Sequence, residues 1–122
     1  MHKHKIVFNR CYGGFSLSMK AVEWLENNST DDSLRAFIKS YDDIESSCKE
    51  DLLRYRVSEF FESCRHHHDL VAVVEALGTV ASGTDSCLDI TTISCNQYRI
   101  DKYDGAEDVV TPETDRQWIF IN

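Results

Sequence analysis

A chain of 122 residues has room for one domain with a substantial core, but not for two. Its 42% hydrophobic and 28% charged content is that of an ordinary globular chain, and no apolar run is long enough to span a membrane. A net charge of −8 repels a nucleic-acid backbone, which argues against long DNA or RNA as a partner and still leaves room for a small anion held by a few arginines.

The polar start, Met1-His2-Lys3-His4-Lys5, is expected to fray and does not read as a secretory leader. Residues 5–9 read as a short strand that runs into Asn9-Arg10-Cys11-Tyr12-Gly13-Gly14-Phe15. This stretch concentrates an amide, a guanidinium fork and flat aromatic faces, then a glycine pair that lets backbone approach a neighbour closely. Two readings stand: a tight turn with core aromatics, or a strand–glycine–helix junction whose free N–H groups suit an anion. The phosphate-loop and dinucleotide glycine patterns do not match.

Ser18 has the position of an N-cap, with Leu17 and Val22 spaced as a hydrophobic staple. Ala21, Val22, Trp24 and Leu25 give the first helix its apolar side, and Asn27-Asn28 ends it. Asp31 or Asp32 caps a second helix carrying Leu34, Phe37, Ile38 and Tyr41 at helical spacing. Ser47 and Glu50 have capping-box spacing for a third helix, with Leu53, Val57, Phe60, Phe61 and Cys64 as its apolar stripe. Lys49, Arg54, Arg56, Glu59 and Glu62 form the opposite face. A fourth helix covers 70–77, capped by His68 or Asp69 and closed by Gly78. The period then changes to two: Leu88–Thr92 and Tyr98–Lys102 alternate, with Cys95-Asn96-Gln97 as the turn between them. Asp104-Gly105 is a hairpin turn into Val109-Val110-Thr111, and Gln117–Ile121 is a candidate last strand. The expected fold is α+β: an N-terminal strand, three to four helices and a C-terminal antiparallel β-meander, in one domain over 1–122.

The five cysteines, 11, 48, 64, 87 and 95, lack a CxxC pair, so neither a disulfide scaffold nor a zinc finger fits and reduced thiols are expected. His66-His67-His68 point in different directions from a helix start and cannot share one metal without distortion; surface or capping roles are expected, with no metal and no cofactor. Cys11 beside Arg10 raises a nucleophile reading, which needs a positioned base such as His66. Arg10, Arg65, Arg99 and Arg116 supply guanidinium forks, and Tyr12, Phe15, Tyr103 and Trp118 supply faces. Arginine, aromatic and backbone N–H together suit a phosphate-bearing nucleotide.

Three blocks of the chain resemble a family of small phage proteins. They are Asn9–Ser18, Arg65-His66 with Asp69–Gly78, and Tyr103-Asp104-Gly105 with Arg116 and Trp118. The family is similar to the first of the anti-Thoeris proteins, which phages use against a bacterial defence. The resemblance implies a non-catalytic sponge in the cytoplasm of the infected host. Such a protein captures the cyclic ADP-ribose isomer made by the defence system's TIR enzyme, and some members also take cyclic oligonucleotides. It further implies a homodimer or hexamer with pockets near subunit contacts. On this reading Arg10, Arg65 and Arg116 hold phosphates and Asn9 and Asp104 take ribose or base edges. Tyr12, Phe15 or Trp118 stacks, and Cys11, Gly13, Gly14 and Tyr103 complete the ligand site. Here His67-His68 replaces a more usual Asp-Pro, and 44–64 reads as an insertion or extension. Two other functions remain as alternatives: a Cys11-dependent hydrolase of a nucleotide or small amide, and a module that presents helix 48–64 to a host protein.

Overall fold

A computed structural model describes residues 3–45 and 47–112. In chain order these form β1 (His4–Asn9), α1 (Met19–Asn28), α2 (Asp32–Lys39), α3 (Lys49–Glu62) and α4 (His68–Leu77). A 3-10 turn (Gly78–Ala81), β2 (Leu88–Ile93), β3 (Arg99–Tyr103) and β4 (Ala106–Val110) follow. The class is α+β, as the change from helical to alternating period predicts.

Local chemistry accounts for the helix ends. The Ser18 hydroxyl accepts from the Ala21 N–H at 3.1 Å and donates to the Val80 carbonyl at 2.6 Å, so one cap also ties α1 to the 3-10 turn. Asp31, not Asp32, caps α2, accepting from the N–H groups of Ser33 and Leu34. At α4 the cap is neither His68 nor Asp69: the His67 Nδ1 accepts from the Asp69 N–H at 3.0 Å. Asp69 is buried and reaches back to the α1–α2 turn instead. Its carboxylate accepts from the Ser29 hydroxyl at 2.7 Å and from the Thr30 N–H and hydroxyl at 3.1 and 3.0 Å. The expected Ser47 capping box is absent; Cys48 precedes α3 without a side-chain cap bond.

Val7 of β1 and Leu88 of β2 pack with Val22, Leu25, Leu34, Ile38, Val57, Phe61, Leu70 and Val73 in the core. On α3 the buried residues are Leu53, Val57, Ser58 and Phe61, while Phe60 is 45% exposed. Neighbouring residues on a helix point about 100° apart, so Phe60 and Phe61 cannot both face the core.

Strand pairing departs from a single meander. β1 pairs antiparallel with β2, from His4↔Ile93 to Asn9↔Leu88, and β3 pairs antiparallel with β4. The 95–97 segment therefore connects two separate ladders. The second ladder turns at Asp104 (φ 53°) and Gly105 (φ 91°), the two positive φ values of a type I′ hairpin. β4 lies beside β1, which carries the Asp104-Gly105 turn to the end of β1 where the glycine pair begins.

Candidate functional site

Asn9 is fully buried at the end of β1 and joins three loops. Its Nδ2 donates to the Cys11 and Gly105 carbonyls at 2.7 and 2.9 Å. Its Oδ1 accepts from the Cys87 N–H at 2.8 Å and the Ser86 hydroxyl at 3.3 Å. Its backbone N–H donates to Glu107 Oε1 at 2.8 Å. The amide's hydrogen-bonding capacity is thus used within the protein. The loops it joins lie very close together. A Cβ placed on Gly13 would stand 1.7 Å from the Asp85 carbonyl oxygen, and one on Gly105 would stand 2.2 Å from the Tyr12 carbonyl oxygen. These glycines serve backbone-on-backbone approach.

Arg65 is likewise turned inward. Its guanidinium donates to both Glu107 oxygens, at 2.6 and 2.7 Å, and both side chains are 1% exposed. Nε donates to the Glu62 carbonyl at 2.9 Å, and the Phe15 ring lies over Cζ with its centroid 3.9 Å away. Bidentate geometry and further carbonyl acceptors are what a desolvated ion pair needs. The expected role of Arg65 as a phosphate ligand is corrected: its charge is already matched. Arg10 stands at the surface, 3.2 Å from Asp89, with both partners largely solvated. Arg10 and Arg65 do not converge on one phosphate.

The remaining predicted residues sort by exposure. Tyr12 (68% exposed) and Tyr103 (79%) project outward, and Asp104 and Arg10 are also exposed. Gly14 takes a φ of 90°. The Cys11 thiol donates to the Asp85 carbonyl at 3.0 Å and contacts Asn9 Oδ1 at 3.4 Å, neither of which is a base. His66, the base a hydrolase reading invokes, is bonded through Nδ1 to the Tyr98 hydroxyl at 2.7 Å. Burial raises the Tyr98 phenol above its usual range, outweighing the N–H donors of Arg65 and His66. Arg116 and Trp118 lie outside the described residues.

Beside the glycine turn, the 15–17 segment and α3 enclose a groove of about 240 Å³. Phe15, Ser16 and Leu17 form one wall, Asp51, Arg54, Tyr55 and Ser58 the other, and Thr84 an end. Ser58 anchors the wall: its hydroxyl accepts from the Leu17 N–H at 3.0 Å and donates to the Arg54 carbonyl at 2.7 Å. Arg54 pairs with Asp51 one turn earlier through a terminal nitrogen, and its Nε has no hydrogen-bond partner among the described residues. Tyr55 is 63% exposed. Sequence reasoning assigned Arg54 to a solvated face and missed Tyr55. The available signal was Ser58, a small polar residue beside an apolar stripe, which leaves room where a larger side chain would fill the helix contact.

Two further concavities are less suited to an anion. A cavity of about 120 Å³ lined by His4, Ile6, His66, Ile93, Cys95, Asn96 and Tyr98 is too small for a nucleotide. The wider cleft along β3 contains Arg99 and Lys102. Lys102 donates to Glu62 at 2.7 Å, and that bond, working against partial burial, holds the Glu62 carboxyl below its ordinary range. Arg99 donates to Asp101 at 2.9 Å. Among the described residues no group of His, Cys, Asp and Glu side chains is arranged to hold a metal ion, and no helix is long and apolar enough to cross a membrane. No protein-family model, no curated protein and no solved structure matches the chain.

Proposed function

We propose that this protein binds and sequesters a cyclic nucleotide, a cyclic ADP-ribose isomer on the resemblance of its sequence blocks, and releases it chemically unchanged. The observation that carries the reading is the groove against α3. It offers two aromatic rings, Phe15 and Tyr55, the Arg54 guanidinium, and hydroxyls at Ser16 and Thr84. An aromatic face takes a base, and the guanidinium takes a phosphate. Arg54's present partner is a weak competitor, because an exposed i,i+3 ion pair is worth only about 0.2–0.5 kcal/mol. A pyrophosphate carries two negative charges and offers the guanidinium a pair of oxygens, where Asp51 makes a single contact.

Small-molecule sites usually enclose about 300–1,000 Å³. A groove of about 240 Å³ therefore covers part of a nucleotide and leaves the rest protruding. A second copy of the chain closing over the protruding part fits the expected homo-oligomer. Sequestration requires no acid–base pair, and the thiol reading of Cys11 gains no support from its carbonyl and amide partners.

Calorimetric titration with a cyclic ADP-ribose isomer tests the assignment. Arg54→Ala is expected to weaken binding by about 1.5–3 kcal/mol, the range for a charge-assisted hydrogen bond. Arg56→Ala, on an exposed part of α3 outside the groove, is expected to leave affinity unchanged. Equal affinity for the wild type and the Arg54 variant removes the groove from the binding site.

A further inference from the structure

Cys11 and Cys87 stand together at the open end of the β1–β2 ladder. Beyond its last paired residues, Asn9 and Leu88, the Arg10 N–H still donates to the Cys87 carbonyl at 2.9 Å. Asn9 Oδ1 accepts from the Cys87 N–H at 2.8 Å and lies 3.4 Å from the Cys11 sulfur, so one buried oxygen positions both residues. Cys87 is exposed and Cys11 partly so, and both are free thiols. The Cys11 thiol beside it pushes the Cys87 thiol above its ordinary range, with Arg10 opposing.

Bridging geometry is within reach. A disulfide requires Cα atoms about 4.4–6.8 Å apart. The Cys11 sulfur lies 3.4 Å and the Cys87 backbone nitrogen 2.8 Å from the same Asn9 oxygen, which brings that sulfur up against the Cys87 backbone. Elsewhere in the fold, Cys48 precedes α3, Cys64 lies beside the His66 ring, and Cys95 donates to the Gln97 carbonyl at 3.3 Å.

We propose that Cys11 and Cys87 are an oxidative modification site, closing to a disulfide that staples the glycine turn to the segment leading into β2. The oxidant is a peroxide. One thiolate attacks a peroxide oxygen, giving a sulfenic acid and, after protonation, water. The second thiolate attacks that sulfur, forming the S–S bond and releasing the sulfenic oxygen as a second water. The thiol pair loses two protons and two electrons, and the peroxide gains them. The staple closes a loop containing all the described helices, which restricts the unfolded chain and raises thermal stability. Exchange of the Cys11 thiol's bond to Asp85 for a covalent one also fixes the turn that carries Tyr12.

The test is hydrogen peroxide treatment of the native full chain, followed by alkylation, non-reducing peptide mapping and thermal melting. The expected result is a dominant 11–87 crosslinked peptide, an intact-mass loss of two hydrogens and a rise in the melting temperature that dithiothreitol reverses. Cys87→Ser and, separately, Cys11→Ser abolish all of these, whereas Cys48→Ser leaves them in place. Absence of an 11–87 peptide, or its formation no more often than pairings with exposed Cys48, overturns the proposal. The readout needs no nucleotide, so it stands or falls separately from the binding proposal.

Discussion

The guanidinium of Arg65 lies under the Phe15 ring with both Glu107 oxygens against it, whereas that of Arg10 meets Asp89 in solvent. Their energetics differ accordingly. An exposed pair contributes about 0–1 kcal/mol, while removing one partner from a buried pair leaves an uncompensated charge and costs about 3–5 kcal/mol. Glu107→Gln is therefore expected to destabilise the fold by about 3–5 kcal/mol in urea titration. The sequence singled out Asn9, Arg65 and Phe15, but residue type does not distinguish a side chain that faces a ligand from one that fastens the chain to itself. Burial decides that, and the burial of Arg65 depends on Glu107, a distant residue in an unremarkable acidic stretch. Asp69 offers a pH test. Burial alone would raise its carboxyl, but the donors from Ser29 and Thr30 and the nearby His67 outweigh burial and hold it below its ordinary range. A lowered folded pKa adds stability above the unfolded value of roughly 3.9, and that stability is lost as pH falls through the folded value. Asp69→Asn is expected to be less stable than wild type at pH 7, with the gap shrinking toward pH 3, as urea midpoints across that range will report.

Helices and strands were largely legible because their signals are local. Ser18 and Asp31 cap where sequence places them, Gly78 closes α4 at a φ of 59°, and Asp104-Gly105 makes the expected turn. Partners were not legible. Alternation in Leu88–Thr92 announces a half-buried strand and says nothing of which edge it joins; β2 joins β1, from the other end of the described chain. The α3 start was misread for a related reason: Ser47 and Glu50 have the spacing of a capping box, but Cys48 takes the cap position. Gly105 packs on the backbone of Tyr12 and Gly14, while Gly13 packs on Asp85, so a side chain at either glycine forces two segments apart. Gly105→Ala adds a Cβ 2.2 Å from the Tyr12 carbonyl at a φ that disfavours L-residues. It is expected to cost more than about 1 kcal/mol, and hydrogen exchange should show faster opening of both 104–106 and 11–14. A loss confined to the hairpin would contradict that coupling.

At the scale of the molecule, three places singled out in the sequence, the 9–15 stretch, Arg65 and the Asp104-Gly105 turn, come together around the end of β1: Asn9 binds Gly105, Arg65 binds Val7 and Glu107, and Phe15 covers Arg65. Their described part is chiefly a knot that holds the two ladders and α3 in register. The groove proposed for a nucleotide lies beside this knot, and half of its wall comes from α3. A chain with a net charge of −8 attracts an anion only through such a local arrangement. The most direct measurement is to incubate the protein with a panel of cyclic nucleotides, remove free ligand, denature by heat and identify what is released by mass spectrometry. Intact cyclic ADP-ribose isomer, recovered from the wild type and depleted from Arg54→Ala, is the predicted result; cleaved fragments, or no nucleotide retained by the wild type, would contradict sequestration.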